Sequence, residues 1–225
     1  MNLRLKMSQK EMIVFYLCIL PWIIGFLGFQ IGPMLASIGF SFTKYDVIRP
    51  PTWIGLENYK KMLFEDPLIW QSLKVTASYT FLAVPLGIVA ALTLAILLNQ
   101  KIPALSVFRT IFYLPSVISG VAVSLLWLWM FNPTVGLINH MLRTIFGIEG
   151  PKWLISAPWV IPSYVLMSLW GVGGSMIIYL AALQNVPTEL YEAASLDGAN
   201  AWRRFWNITL PIISPVILFT FITGI

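Results

Sequence analysis

Four stretches of the chain are apolar for the length of a membrane-crossing helix: Ile13 to Phe40, Val75 to Leu98, Thr110 to Phe131 and Leu154 to Leu183. About 20 predominantly apolar residues let an α-helix cross a hydrocarbon core about 30 Å thick, where the backbone must satisfy its own hydrogen bonds. A fifth apolar run opens near Ile212 and extends to Ile225, too short to span by the same rule. The pattern predicts an all-α, polytopic transmembrane helical bundle, one domain over residues 1–225, truncated in its fifth span. Residues 1–12 are a tail. The apolar run after its basic "MNLRLK" is too long for a signal peptide and has no small-residue cleavage site, so it is expected to remain as the first membrane helix.

Polar connections separate the spans. Ser41 to Ser72 contains the breaker "RPPTW" and then "GLENYKKMLFEDPLIW", charged and amphipathic enough for a surface helix. Asn99 to Arg109 turns on Pro103, and Asn132 to Trp153 sets the amphipathic "LINHMLRTIF" between the turn signals "NPTVG" and "GIEGP". The fourth connection, residues 184–211, holds Glu189, Glu192, Asp197, Arg203 and Arg204, in a chain of which only 10% is charged. Pro187 and Thr188 followed by acids signal a helix start, because acids complement the positive end of the helix dipole. A helix is expected from Thr188 to Leu196, stopped by Gly198. A second, "ANAWRRFWNITL", would set Trp202, Phe205 and Trp206 toward lipid and Arg203 and Arg204 toward head groups or acids. Leu190, Ala194, Gly198, Ala201 and Phe205 recur at spacings of three and four, a face of small residues that another protein can approach closely. An amphipathic connector lying on the membrane fits the same residues.

Composition narrows the picture. The chain is 58% hydrophobic, well above a soluble domain, and its net charge of +5 suits anionic lipid head groups. It has no basic cluster of the kind that binds nucleic acid. Cys18, in the first span, excludes an internal disulfide and a cysteine metal cluster. The lone His140 has no ligand partner near it in sequence. With the N-terminus inside, the inner segments hold Arg4, Lys6, Lys10, Lys101, Arg109, Arg203 and Arg204, and the outer ones hold Lys44, Arg49, Lys60, Lys61, Lys74, Arg143 and Lys152. Seven against seven decides nothing, and the three basic residues in the first ten tip the choice to an inside N-terminus. Residues 184–211 are then cytoplasmic.

The four complete spans contain no Asp, Glu, Lys, Arg or His. Ion-coupled carriers place such groups in the bilayer because they carry the coupling. A glycine-rich lysine loop for nucleotide and a nucleophile–base pair are also missing. The spans carry hydroxyls and aromatic faces instead. Ser119, Trp127, Tyr164, Ser168 and Trp170 are the candidate lining of a pathway for a neutral, hydroxyl-rich substrate. Gly28, Gly32 and Ala36, and Gly171, Gly173 and Gly174, read as close helix packing, with hinges beside a pathway as the alternative. The energy for such a pathway must arrive from a partner.

"EAASLDGANAWRRFWNITLP" resembles, position by position, the EAA pattern of bacterial ABC importer permeases: Glu192, Ala193 and Ala194, then Gly198, Ile208, Leu210 and Pro211. "LPWIIGFLGFQIGPMLASIGFSFTKYD", "WIGLENYKKML" and "FRTIFYLPSVISGVAVSLLW" resemble the carbohydrate-type permeases of the maltose, lactose and glycerol-3-phosphate group. The resemblance implies a multi-pass permease of the bacterial inner membrane, not itself an enzyme. A second, different permease would complete the pathway, and an extracytoplasmic solute-binding protein would deliver a sugar or related polyol. Two cytoplasmic ATPase subunits would bind the ATP and Mg. It also implies that Glu192, Ala193, Ala194, Leu196, Asp197 and Gly198 meet the ATPase, with Glu192 making the charge contact, while Ile208, Leu210 and Pro211 shape the motif. A self-contained channel or facilitator, and a structural subunit without a pathway, are the alternative readings.

Overall fold

The computed structural model describes residues 7–100 and 103–225, so Arg4, Lys6 and Lys101 of the charge count and the first half of the tail lie outside the described residues. The chain divides into two compact units, one ending at Ser72 and one beginning at Leu73.

In the first unit, α1 (Met7–Phe26), a π-helical turn (Leu27–Ile31) and α2 (Gly32–Ser41) run on without interruption, making one apolar helix of 32 residues from Lys10 to Ser41. None of its most apolar window is buried within the chain, a surface that lipid or another membrane chain must cover. A short antiparallel ladder follows, β1 (Thr43–Lys44) against β2 (Thr52–Trp53), and then α3 (Glu57–Lys60). The Asn58 amide donates to the carbonyls of Ser41 and Thr43 at 2.9 Å each, and Phe42 stacks on Trp53 at 5.6 Å. The surface helix expected in this loop is one α turn and one π turn, Lys61–Glu65. The hairpin leaves no signal in the sequence, since two-residue strands have no periodicity to read.

A third π turn spans Phe205–Thr209, and all three end one residue before the residue preceding a proline: Pro33, Pro67 and Pro211. Each closes with the amide of that preceding residue bonding five residues back, Gly32 to Leu27, Asp66 to Lys61 and Leu210 to Phe205. Proline lacks an N–H and its ring collides with the carbonyl four residues back, so a widened turn relieves both problems. Pro21, Pro85, Pro162 and Pro215 sit inside α-helices, so proline permits the widening and does not compel it.

α4 (Pro67–Leu98), capped by the Asp66 carboxylate accepting from the Leu68 amide at 2.8 Å, begins in the first unit and from Leu73 onward belongs to the second. The expected span 75–98 is the later part of this longer helix. The expected span 110–131 is not one rod. It comprises α5 (Leu105–Tyr113), a 3-10 turn (Leu114–Val117) and α6 (Gly120–Met130), bent by 95°. Pro115 tightens the turn, and Ile118 and Ser119 are extended between the helices. After α7 (Leu137–Phe146), the expected span 154–183 likewise breaks into α8 (Ala157–Trp170) and α9 (Gly173–Gln184), bent by 51° at Gly171 and Val172. Hydropathy registers neither bend, because both halves of each pair are apolar.

The chain closes with α10 (Thr188–Leu196), α11 (Ala201–Arg204), the third π turn and α12 (Leu210–Gly224). The interfacial helix and the fifth span, expected to be separate, form a single helix of 24 residues from Ala201 to Gly224. Ala91 and Ala95 of α4, Met176, Tyr179 and Leu183 of α9, and Ile213 of α12 make the buried core. The two alanines let α4 approach its neighbours closely. Of the three glycines near the second bend, Gly173 requires its missing side chain: a Cβ there would lie 2.3 Å from the Phe112 carbonyl oxygen of α5.

Candidate functional site

The connection 184–211 folds as a compact clasp. Pro187 is extended (φ −59°, ψ 130°), α10 starts at Thr188 with Glu189 in its first turn, and its end is fully capped. The amide of Ala199 bonds to the Ala194 carbonyl at 2.9 Å and that of Gly198 to Ser195 at 3.1 Å, with Gly198 left-handed at φ +75°. These are the paired bonds that stop a helix on a left-handed residue, where glycine carries no Cβ penalty. Asn200 then caps α11 by accepting from the Arg203 amide at 2.9 Å.

Two side-chain bonds fasten α10 to the helix that follows. The Tyr191 hydroxyl bonds to Thr209 Oγ1 at 2.7 Å, and Thr209, itself buried, lies one residue before α12. Arg204 Nη1 donates to Ser195 Oγ at 3.0 Å, and Ser195 donates onward to the Tyr191 carbonyl. The opposite side of α10 is open. Glu192, Ala193, Asp197 and Gly198 are exposed, Leu196 is 91% exposed, and Ala194 is half-buried against the clasp. Among the described residues neither Glu192 nor Asp197 is in an ion pair. Ile208 and Leu210 are half-buried behind the clasp, and Pro211 follows the π turn. Tyr191, Ser195, Arg204 and Thr209 are the members that sequence reading missed, because their pairing depends on how the chain doubles back at Gly198.

The candidate pathway residues divide. Ser168 lines a cavity of about 250 Å³ whose other polar walls are Tyr79 of α4, Ser175 and Tyr179 of α9, and Thr220 of α12. The hydroxyls of Tyr179 and Thr220 are hydrogen-bonded to each other. Trp127 and Trp170 lie edge to face at 5.9 Å, with Trp127 only 6% exposed and its indole N–H buried without a partner. Ser119, in the bend before α6, and Tyr164, 50% exposed on α8, are absent from the cavity wall. Tyr79, Tyr179 and Thr220 were legible only as lone polar positions in apolar runs. α12 thus touches the clasp at one end and the cavity at the other.

Residues 83–225 match the family described as binding-protein-dependent transport system inner membrane component. A probable ABC transporter permease protein, YesP, of Bacillus subtilis is 43% identical over 215 residues, which are 95% of this chain and 69% of that protein. AmyD of Thermoanaerobacterium thermosulfurigenes, a probable starch degradation products transport system permease, is 33% identical over 207 residues, 92% of this chain and 70% of its own. A crystal structure of a bacterial alginate ABC transporter, in complex with alginate pentasaccharide-bound periplasmic protein, matches with a TM-score of 0.83 at 30% identity, covering 98% of this chain and 74% of that one.

Proposed function

The chain belongs to the family of binding-protein-dependent transport system inner membrane components, and we propose that it is one permease of an ABC importer for a sugar or related polyol, driven through α10. It pairs with a second permease to enclose the pathway and receives substrate from an extracytoplasmic solute-binding protein. Two cytoplasmic ATPase subunits, which hold the ATP and magnesium, dock against the exposed side of α10. The substrate class is supported by the starch-product permease and the alginate transporter among its relatives, and by the neutral hydroxyls around the cavity.

The observation that carries the coupling role is the clasp. α10 turns Glu192 and Leu196 outward while Tyr191 and Thr209 tie its inner side to the start of α12. When ATP draws the ATPases together, a displacement of α10 passes along α12 to Thr220 and the cavity wall, switching the pathway from inward to outward facing. Ala193 and Ala194 keep α10 narrow enough to enter a groove, and Asp197 and Gly198 set its end. The chain itself hydrolyses nothing.

Glu192→Ala tests this reading. A charge seated in a partner's groove is worth roughly 2 to 5 kcal/mol, a loss of tenfold or more in docking. An exposed charge on a surface-lying helix is worth under about 1 kcal/mol. The variant is expected at normal level in the membrane, with reduced ATPase on copurification and little substrate uptake. Wild-type recovery and wild-type uptake together would return α10 to the role of a surface helix.

A further inference from the structure

Helix α7 (Leu137–Phe146) is amphipathic, yet it docks on the chain by the border between its two faces. Leu137, Ile138, Met141, Leu142, Ile145 and Phe146 occupy one half of the helix, and Asn139, His140, Arg143 and Thr144 the other. The contact edge is marked by Asn139, 2% exposed, with Ile138 and Leu142 half-buried beside it. The Asn139 amide donates to the carbonyls of Pro133 at 3.1 Å and Pro151 at 3.3 Å, and its oxygen accepts from the Trp153 indole at 2.7 Å. Gly150 closes over it, since a Cβ there would lie 2.0 Å from the Asn139 oxygen. The helix is therefore pinned at one edge and cannot roll to bury the rest of its apolar half.

Two free strips remain on either side of that edge. Leu137, Met141 and Ile145 are 41%, 48% and 62% exposed along one, and His140, Arg143 and Thr144 are exposed along the other. We propose that α7 is an interfacial helix, with the Leu137, Met141 and Ile145 strip set into the lipid of the outer leaflet and the His140, Arg143 and Thr144 strip in water. Protein on one edge, apolar residues on one side and cationic or polar residues on the other is the arrangement a monotopic helix requires. The level also fits. Trp153, which holds Asn139, lies 5.4 Å from Phe131 at the end of α6 and 5.2 Å from Trp159 at the start of α8. Indoles gather at that boundary of a membrane segment, because their apolar body and polar N–H suit the head-group layer. Arg143 is the basic residue of the helix, and α7 carries no acid, so its water-facing strip is cationic and polar throughout. The proposal goes beyond the transport role; it rests on that reading only for the leaflet, outer because α10 faces the cytoplasm, and the lipid and water contacts of its two strips do not depend on the coupling role of α10.

The test uses the complete importer in vesicles, in a Cys18→Ser background, with Ile145→Cys or, separately, His140→Cys carrying a fluorescent label. Acyl chains brominated near the head group report lipid contact, and iodide reports water contact. Strong quenching of the Ile145 label by brominated lipid with little by iodide, and the reverse at His140, is the expected result. Leu137→Cys repeats the reading on the same strip should the Ile145 variant assemble poorly. Iodide access at both positions would overturn the proposal. So would protection of the Ile145 label from both quenchers in the importer that is lost when the permease is isolated, because a protein partner would then own the strip.

Discussion

Gly198 shows how much chemistry one backbone angle can hold. Its φ of +75° closes α10, and a Cβ there would meet nothing within 4 Å. Any penalty on substitution is therefore conformational, about 1 to 2 kcal/mol for an ordinary residue forced left-handed and more for a β-branched one. Gly198→Val should reach the membrane and lose uptake, whereas Gly198→Asn, whose side chain tolerates this region, should keep most of it. Equal loss in both variants would show that bulk is what the position rejects, contrary to the open space around it. The Tyr191–Thr209 bond makes a second claim at this scale. Tyr191→Phe and Thr209→Val both remove this neutral hydrogen bond, worth about 1 kcal/mol, and the second also removes the long 3.4 Å bond from Thr209 Oγ1 to the Arg204 carbonyl. Each should lower the substrate moved per ATP hydrolysed while ATPase recovery stays normal, and the double variant should be little worse than either single. Additive losses would mean that the two hydroxyls act separately. The bounds of α10 were legible because capping is local: Pro187, Thr188, an acid in the first turn and Gly198 all announce themselves in sequence. The partners of Tyr191 and Ser195 were not, since they lie 18 and 9 residues away across a reversal of the chain.

Among the elements, the bent pairs and the joined helix depart most from the hydropathy pattern. A window average sees α8 and α9 as one apolar rod, and α5 and α6 as another, because each bend exposes no polar segment. The local causes are nonetheless present as Pro115 and as the glycines at 171, 173 and 174, which the sequence offers as packing residues or as hinges. Packing and bending turn out to be joined at Gly173, where the start of α9 lies directly on the α5 backbone at Phe112. Conversely, the polar "RRFWN" reads in sequence as part of an interfacial helix separate from the fifth apolar run. A helix carries two arginines readily in its first turn, where long side chains reach the head groups, and the π turn absorbs Pro211. The Gly173 contact yields an element-scale prediction. Gly173→Ala should push α9 from α5, an overpacking cost of about 1 to 3 kcal/mol, and lower the thermal midpoint of the purified permease. Gly174→Ala, which meets nothing within 4 Å, should leave the midpoint unchanged or raise it through better helix propensity. A smaller fall at 173 than at 174 would place the tight contact elsewhere.

At the scale of the whole molecule, the question is where the free energy for uphill transport enters. A proton-driven carrier needs a group inside the bilayer that binds and releases a proton, and such groups are retained despite the cost of burying charge. In the long apolar helices and bent pairs, the charges lie toward the ends of each span, away from its middle. Glu11 lies in the second turn of α1, Lys74 in the early turns of α4, Arg109 in α5 with its guanidinium on the Leu98 carbonyl, and Arg203 and Arg204 at the foot of the last helix. The polar wall of the cavity is made of the hydroxyls of Tyr79, Ser168, Ser175, Tyr179 and Thr220, with no carboxylate, amine or imidazole among them. The input proposed above is mechanical instead: the clasp at α10, joined through a continuous 24-residue helix to Thr220. Uptake by the reconstituted importer should accordingly require ATP on the α10 side and persist when a protonophore collapses the pH gradient. A cysteine in place of Asn200, in a Cys18-free background, should react with an impermeant thiol reagent only from the ATP side. Accumulation driven by a pH gradient without nucleotide would mean that a titrating group in the pathway, and not the motion of α10, carries the work.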